Sequence, residues 1–343
     1  MKAMVLKGIS SAEEKPLELV DLPEPVPGRG QIRVRVSACG VCHTELDEIE
    51  GRVAPSRFPL ILGHEIIGRV ERLGPGASKF KKGDRIGIAW INWACGRCSF
   101  CLKGEENLCD TAKWTGKDVD GGYAQYTVVS EDFAYPIPER FADLEAAPLL
   151  CAGVIGYRAL RLSGMEDRRI LGLYGFGASA HIVIQVAKYK YPNGKVFVFT
   201  RPNQKEHQDS ARRLGADWIG ATGDAPPAKL DCAIDFTPVG EPVRQALRNL
   251  QKGGRVVINA IRKTAPIPEL DYTEHLWYEK EVKSVANVTR RDAQEFLPLA
   301  ARIPIVPQIQ EFSLEEANKA LIRLKEGTIR GAAVLRITEN PTV

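Results

Sequence analysis

"LGLYGFGASAHIVIQ", residues 171–185, decides the fold. It opens on a short apolar run suited to a buried strand and closes on a helix-forming one. Between them, Gly175-Phe176-Gly177-Ala178-Ser179-Ala180 reads G-x-G-x-x-A. The glycines let backbone N–H groups approach a pyrophosphate, and the helix N-terminus adds partial positive charge. Ala180 is the small third residue that allows close helix–strand packing. Such a match on its own often marks only a tight strand-to-helix turn, so its context matters. Here "KVFVFT", "LDCAIDF" and "GRVVINA" follow as strands, and "HQDSARRLGA" and "VRQALRNL" fall between them as helices. Strands alternating with helices imply a parallel sheet with crossover helices. The expectation is a doubly wound α/β domain that binds a dinucleotide.

The coenzyme's ribose should meet an acid about 20 residues on, at the end of the second strand. That strand runs into "TRPNQK", with Thr200 and Arg201 at its end, Lys205 nearby and no carboxylate. An arginine there suits a 2′-phosphate, because charge-assisted Arg–phosphate bonds are strong and an acid would repel one. NADP(H) is therefore expected over NAD(H).

Upstream of about residue 152 the character differs. "QIRVRVSACG", "EIIGRVERLG", "GDRIGIAW" and "GGYAQYTVV" are strand-like and punctuated by Gly and Pro, which suits a mainly β, barrel-like domain. A chain of 343 residues is long enough for two domains. Its 47 basic and 43 acidic residues are well mixed, which argues against a nucleic-acid partner. No apolar run approaches the ~20 residues of a membrane span, and "MKAMVLKGIS" lacks a signal peptide's apolar stretch. A cytoplasmic location is expected, where clustered cysteines more often bind metal than form disulfides.

Eight cysteines occur in all, and four of them crowd into "ACGRCSFCLKGEENLC", residues 94–109. Cys95, Cys98, Cys101 and Cys109 are spaced C-x2-C-x2-C-x7-C, which brings thiolates around one tetrahedral zinc. Gly96 and Gly104 permit the turns. Iron–sulfur spacing is similar, but the fourth cysteine lies too far along and no proline follows it. Four thiolates leave zinc no open position, so this metal holds a loop and reacts with nothing.

Further donors are dispersed: Cys39, Cys42 and His43 in "ACGVCHTELD", His64 and Glu65 in "GHE", and Cys151 in "PLLCAGVIGY". Singly, Cys39–Cys42 could form a small closed site, Cys151 an inert thiol, and His64–Glu65 a core pair. Together they contain a Cys2His set with an open fourth position, a catalytic zinc arrangement.

These pieces, with "FKKGDRIGI", "GGYAQY", "KGGRVV" and "ANVTRRDAQEFLPLA", resemble the zinc-dependent medium-chain alcohol dehydrogenases over nearly the whole chain. The resemblance implies a GroES-like catalytic domain over 1–152 with its zinc lobe at 94–112. A Rossmann domain follows over 153–287, and the chain returns to the catalytic domain over 288–343. It implies catalytic zinc on Cys42, His64 and Cys151, with Cys39 excluded and Glu65 beside the metal. Zinc in that role stabilises an alkoxide before hydride leaves carbon. Thr44 matches the hydroxyl that takes the alcohol proton, and His43 a coenzyme pyrophosphate contact.

Three departures stand out. Asp47 occupies the place of a relay histidine, which leaves the proton outlet open. "TRPNQKEH" replaces the acid that selects NAD and is longer than the relatives' loop. Ala332 stands where many relatives have an arginine, with Arg330 two residues away. Two zinc ions per chain, an alcohol or aldehyde substrate and a homo-oligomer (dimer or tetramer) are expected. Trp90 and Trp93 are candidate substrate walls. The competing readings are a polyol or secondary-alcohol dehydrogenase, and a non-catalytic nucleotide-binding relative that would need no open metal site.

Overall fold

The computed structural model describes residues 1–305 and 307–338. The chain divides into two compact units. One comprises Met1–Cys151, Asn287–Ala301 and the described residues beyond 306; the other comprises Ala152–Ala286 and Arg302–Ile305.

The first unit is built around the strand Gln31–Val41. Ile32, Val34, Val36 and Ala38 alternate along it and are fully buried, so the period-2 pattern puts one apolar face into the core. Arg33, on the other face, is covered by ion pairs to Glu24 and Glu71. The strand is central to a seven-stranded sheet, pairing antiparallel with Ile66–Leu73, Tyr126–Ser130 and Ala332–Arg336. The last of these runs parallel to Ile309–Ser313 at the sheet's edge. Cys39 pairs with Ile66, so the end of the central strand lies beside the start of its partner.

The second unit is a six-stranded parallel sheet. Its order is Trp218–Ala221, Lys195–Thr200, Ile170–Tyr174, Leu230–Asp235, Leu250–Ile258, Glu281–Ser284. Numbered along the chain, that is the 3-2-1-4-5-6 order of the doubly wound dinucleotide fold. The expected fold class, α/β with a mainly β GroES-like domain, is the one observed. The inner strands Lys195–Thr200, Ile170–Tyr174 and Leu230–Asp235 are buried along nearly their whole length, on both faces. Tyr174 and Phe199 stack with ring centroids 4.1 Å apart, and Phe197, Leu230, Val243, Leu247 and Val256 complete the core around them. Helices Ala178–Lys190, Lys205–Arg213 and Glu241–Asn249 supply the crossovers. Among the described residues, no helix is long and apolar enough to cross a membrane.

Candidate functional site

Cys42 lies just past the central strand and caps the helix His43–Ile49. His64 and Glu65 lie just before the strand Ile66–Leu73. The register of these two strands joins them: Gly40 N–H donates to Glu65 O at 3.0 Å. A Cβ on Gly40 would stand 2.0 Å from Glu65 Oε2, so only glycine leaves room for that carboxyl. Cys151 arrives from the buried turn Ala147–Leu150. The donor atoms of Cys42, His64, Glu65 and Cys151 all fall within 4.8 Å of one another. Cys42 Sγ and His64 Nε2 are 3.7 Å apart. A tetrahedral zinc with arms of ~2.3 Å to sulfur and ~2.05 Å to nitrogen would separate them by about 3.6 Å, so the set fits that ion.

Glu45, one turn into the helix, was not singled out from the sequence, yet it organises the set. One oxygen meets His64 Nδ1 at 2.5 Å, and the other accepts the Cys42 N–H at 2.9 Å. Cys42 Sγ in turn accepts the Thr44 N–H at 3.3 Å. This is a capping box with a thiol in the usual hydroxyl's place. The carboxylate holds a proton on Nδ1 and leaves Nε2 for the metal. Its sequence signal was the carboxylate three residues after Cys42.

Electrostatics separate the two buried glutamates. Burial pushes Glu45 up, but the charge and hydrogen bond of His64 and the Cys42 N–H outweigh it, leaving the carboxyl below its ordinary value. Burial also disfavours a charged His64, but Glu45 and Cys42 raise it well above its ordinary value before a metal binds. Glu65 has weaker compensation, and burial pushes it up to about 8.

Of the other expected residues, Thr44 is buried and His43 is exposed. Asp47 is outside the donor set; it is buried and accepts a bond from Arg52 Nε at 2.5 Å. Cys39 is buried and also outside the set. Trp90 lies beside the donors, its ring 5.8 Å from that of His64 and 5.2 Å from that of Trp114. Trp93 is 39% exposed and has no such contact among the described residues.

The second set is Cys95, Cys98, Cys101 and Cys109, again with donor atoms within 4.8 Å. Gly96 and Gly104 take φ of +71° and +72°, the left-handed turns that wrap the loop. Cys95 and Cys101 sulfurs are 3.8 Å apart, which matches the edge of about 3.8 Å for a tetrahedron with ~2.3 Å zinc–sulfur arms. Backbone N–H groups already point at sulfur: Cys98 N to Cys95 at 3.3 Å, Cys101 N to Cys98 at 3.5 Å. Without a cation the thiols cannot ionise alike. Desolvation and neighbouring sulfurs push Cys101 up to about 12. Cys109, despite desolvation, is drawn down to about 6 by backbone and Thr111 hydrogen bonds. Glu106, buried in the same lobe, accepts bonds from Arg290 N and Nε at 2.9 and 3.0 Å, which tie the lobe to the helix Arg290–Arg302.

In the second unit Gly175 takes φ +84° directly after the first strand. Gly177 precedes the helix Ala178–Lys190 with no side-chain cap, and a Cβ there would meet nothing within 4 Å. That leaves room and first-turn N–H groups for an anionic group. Phe176 and Ala180 are buried packing residues. Ser179 donates to Ala152 O at 2.8 Å. Thr200 is buried and accepts from Gln208 at 3.1 Å. Arg201 and Lys205 are exposed, the latter opening the helix Lys205–Arg213.

Residues 28–139 match the family described as "Alcohol dehydrogenase GroES-like domain". The chain is 42% identical over 342 residues to "Probable alcohol dehydrogenase AdhA" of Mycobacterium tuberculosis, covering 98% of this chain and 97% of that protein. It is 35% identical over 351 residues to an "Alcohol dehydrogenase" of Geobacillus stearothermophilus, covering 99% and 100%. Among solved structures, the cobalt- and zinc-bound thermostable alcohol dehydrogenase of Pyrobaculum aerophilum aligns with TM-score 0.86 and 26% identity, over 98% and 99% of the two chains.

Glu45 generates a direct prediction. Glu45→Ala leaves His64 Nδ1 and the Cys42 N–H unpartnered, and zinc affinity at the Cys42 site should fall by about 10- to 100-fold. Competition with a chromophoric chelator measures it, with the four-cysteine lobe as the internal control. Unchanged affinity at the Cys42 site would remove Glu45 from the account.

Proposed function

The chain belongs to the zinc-dependent medium-chain alcohol dehydrogenases, and from that premise we propose how its residues divide the work. The reaction is that of an alcohol dehydrogenase, a reversible hydride transfer between an alcohol and a nicotinamide coenzyme that gives an aldehyde or ketone. The observation that carries the assignment is the meeting of Cys42, His64 and Cys151, with Glu45 holding the imidazole in its metal-binding tautomer.

Zinc on those three donors supplies Lewis acidity toward an alcohol or carbonyl oxygen. Two thiolates and a neutral imidazole would leave the loaded set with no net charge, so its Lewis acidity would be local to the ion. Glu65, raised by burial, lies in the donor set and would be at hand as a further oxygen ligand. Thr44, two residues from Cys42 and buried, receives the alcohol proton, as in the family pattern. Asp47, bonded to Arg52, steadies the helix that carries Thr44. Trp90 walls the substrate side of His64. The four-cysteine lobe holds a second zinc with no coordination position left for chemistry.

The G-x-G-x-x-A loop takes the coenzyme's pyrophosphate; His43 is exposed and keeps the coenzyme role that the family pattern gives it. Thr200, Arg201 and Lys205 meet the adenosine ribose, and with no carboxylate among them they favour NADP(H). The edge strand Glu281–Ser284 is exposed at every position, with Tyr272, Trp277 and Tyr278 exposed nearby. An unpaired edge of this kind invites a second copy, and we assign a homo-oligomer, dimer or tetramer.

Three measurements test these assignments. Cys151→Ala should reduce coenzyme-linked alcohol oxidation to below about one hundredth of wild type while the lobe keeps its zinc. Wild-type-like turnover would remove the site assignment. Coenzyme kcat/KM should favour NADP over NAD, and Arg201→Ala should reduce the NADP value by roughly ten- to a hundred-fold. A tenfold NAD preference in wild type, or an unchanged NADP value in the variant, contradicts the coenzyme assignment. Light scattering should give a mass of two or four chains; a monomer at micromolar concentration contradicts the assembly.

A further inference from the structure

Asp235 ends the strand Leu230–Asp235 with its side chain fully buried. One carboxylate oxygen accepts the Thr237 N–H at 3.0 Å and the Thr237 hydroxyl at 2.7 Å. The other accepts Lys263 Nζ. The same ammonium donates to Thr237 O at 2.7 Å and Val239 O at 3.0 Å. A lysine has three protons to give, and these partners take all three. Lys263 is thus occupied and is not offered to a phosphate.

Lys263 lies in the loop after the strand Leu250–Ile258, and its partners lie in the loop after Leu230–Asp235. Further contacts join the same two loops. Thr264 gives its N–H and hydroxyl to Pro238 O at 2.6 and 3.0 Å. A Cβ on Gly240 would stand 2.0 Å from Pro266 O, so the backbones touch there. The loops are stapled at the carboxyl ends of the fourth and fifth strands. The first and fourth strands are neighbours at which the strand order reverses, the place where open α/β sheets bind dinucleotides. The stapled loops border the glycine turn there, since Thr237 Cγ2 is 3.0 Å from the position of a Gly175 Cβ.

A buried ion pair contributes little net stability over well-packed apolar residues, although removing one partner is costly. What this pair contributes is direction, through bonds that bridge two loops. The adenosine half of a dinucleotide belongs to the first three strands, by way of the Gly175–Ala180 turn and Thr200–Arg201. The nicotinamide half therefore falls to the loops after the fourth and fifth. We propose that Asp235 and Lys263 are positioning residues that hold these two loops in the arrangement that receives the nicotinamide half of the coenzyme. The inference rests on the coenzyme reading above. Without the staple the loops sample other arrangements, and apparent affinity falls in proportion to the competent fraction.

The test uses calorimetric titration of the full-length protein with NADPH, NADH, and the adenosine-half probes 2′,5′-ADP and 5′-AMP. Two variants are compared with wild type: Lys263→Met, and the double variant Asp235→Ile with Lys263→Met, which leaves no unpaired buried charge if the single variant fails to fold. In each folded variant the whole coenzyme should bind about tenfold more weakly, while the adenosine-half probes bind within about twofold of wild type. Unchanged coenzyme affinity overturns the inference. So does an equal loss for coenzyme and fragments, which would mark general damage to the unit. Wild-type protein that binds neither coenzyme overturns the cofactor reading itself, and the inference with it.

Discussion

The antiparallel register of Gln31–Val41 against Ile66–Leu73 assembles the donor cluster on which the rest depends. One strand delivers Cys42 as it ends and the other follows directly on His64 and Glu65, so a single ladder fixes three of the four clustered donors. A slip of one residue would turn alternate side chains to the wrong face, bury Arg35 in place of Val34 or Val36, and separate the donors. The buried row Ile32, Val34, Val36 and Ala38 makes that slip expensive. Gly40 adds a steric condition, since any side chain there would collide with Glu65.

Within that frame, the protein places acidic groups around a cation site and tunes each by its partners. Glu45 is satisfied twice and is held low, whereas Glu65 is pushed up to about 8. Glu48, one turn beyond Glu45, is buried with neither oxygen bonded among the described residues. Burial, with the Glu45 charge, raises it well above its ordinary value. Of these three buried acids, the one that orients His64 is thus the one whose charge the surroundings favour, while burial disfavours charge on Glu48 and Glu65. The four-thiol lobe follows the opposite plan, with closely packed sulfurs and backbone N–H donors that leave a divalent ion no free face.

Local features were legible in the sequence. The glycine turn at Gly175, the four-cysteine spacing and the alternating strands and helices all lie within short windows, where geometry follows directly from residue type. The absence of a carboxylate at Thr200–Arg201 was equally visible. Features that depend on register were harder to read. Residue chemistry alone left Cys39, Cys42, His64 and Cys151 as separate options, because what unites them is strand pairing and a turn more than 80 residues away. Only the resemblance separated Cys42 from Cys39. Glu45 was missed because a cap with a thiol in place of a hydroxyl does not look like one. The Asp235–Lys263 pair was missed because it joins two loops whose adjacency comes from the sheet order.

The central claim is that one chain holds two zinc ions in different shells, four sulfurs in one and two sulfurs with one nitrogen in the other. X-ray absorption at the zinc edge of the purified protein tests this most directly. The account predicts an average of about three sulfurs and about one nitrogen or oxygen per zinc, with sulfur at ~2.3 Å. An average of about four sulfurs, meaning that only the lobe binds zinc, or of two or fewer would contradict it.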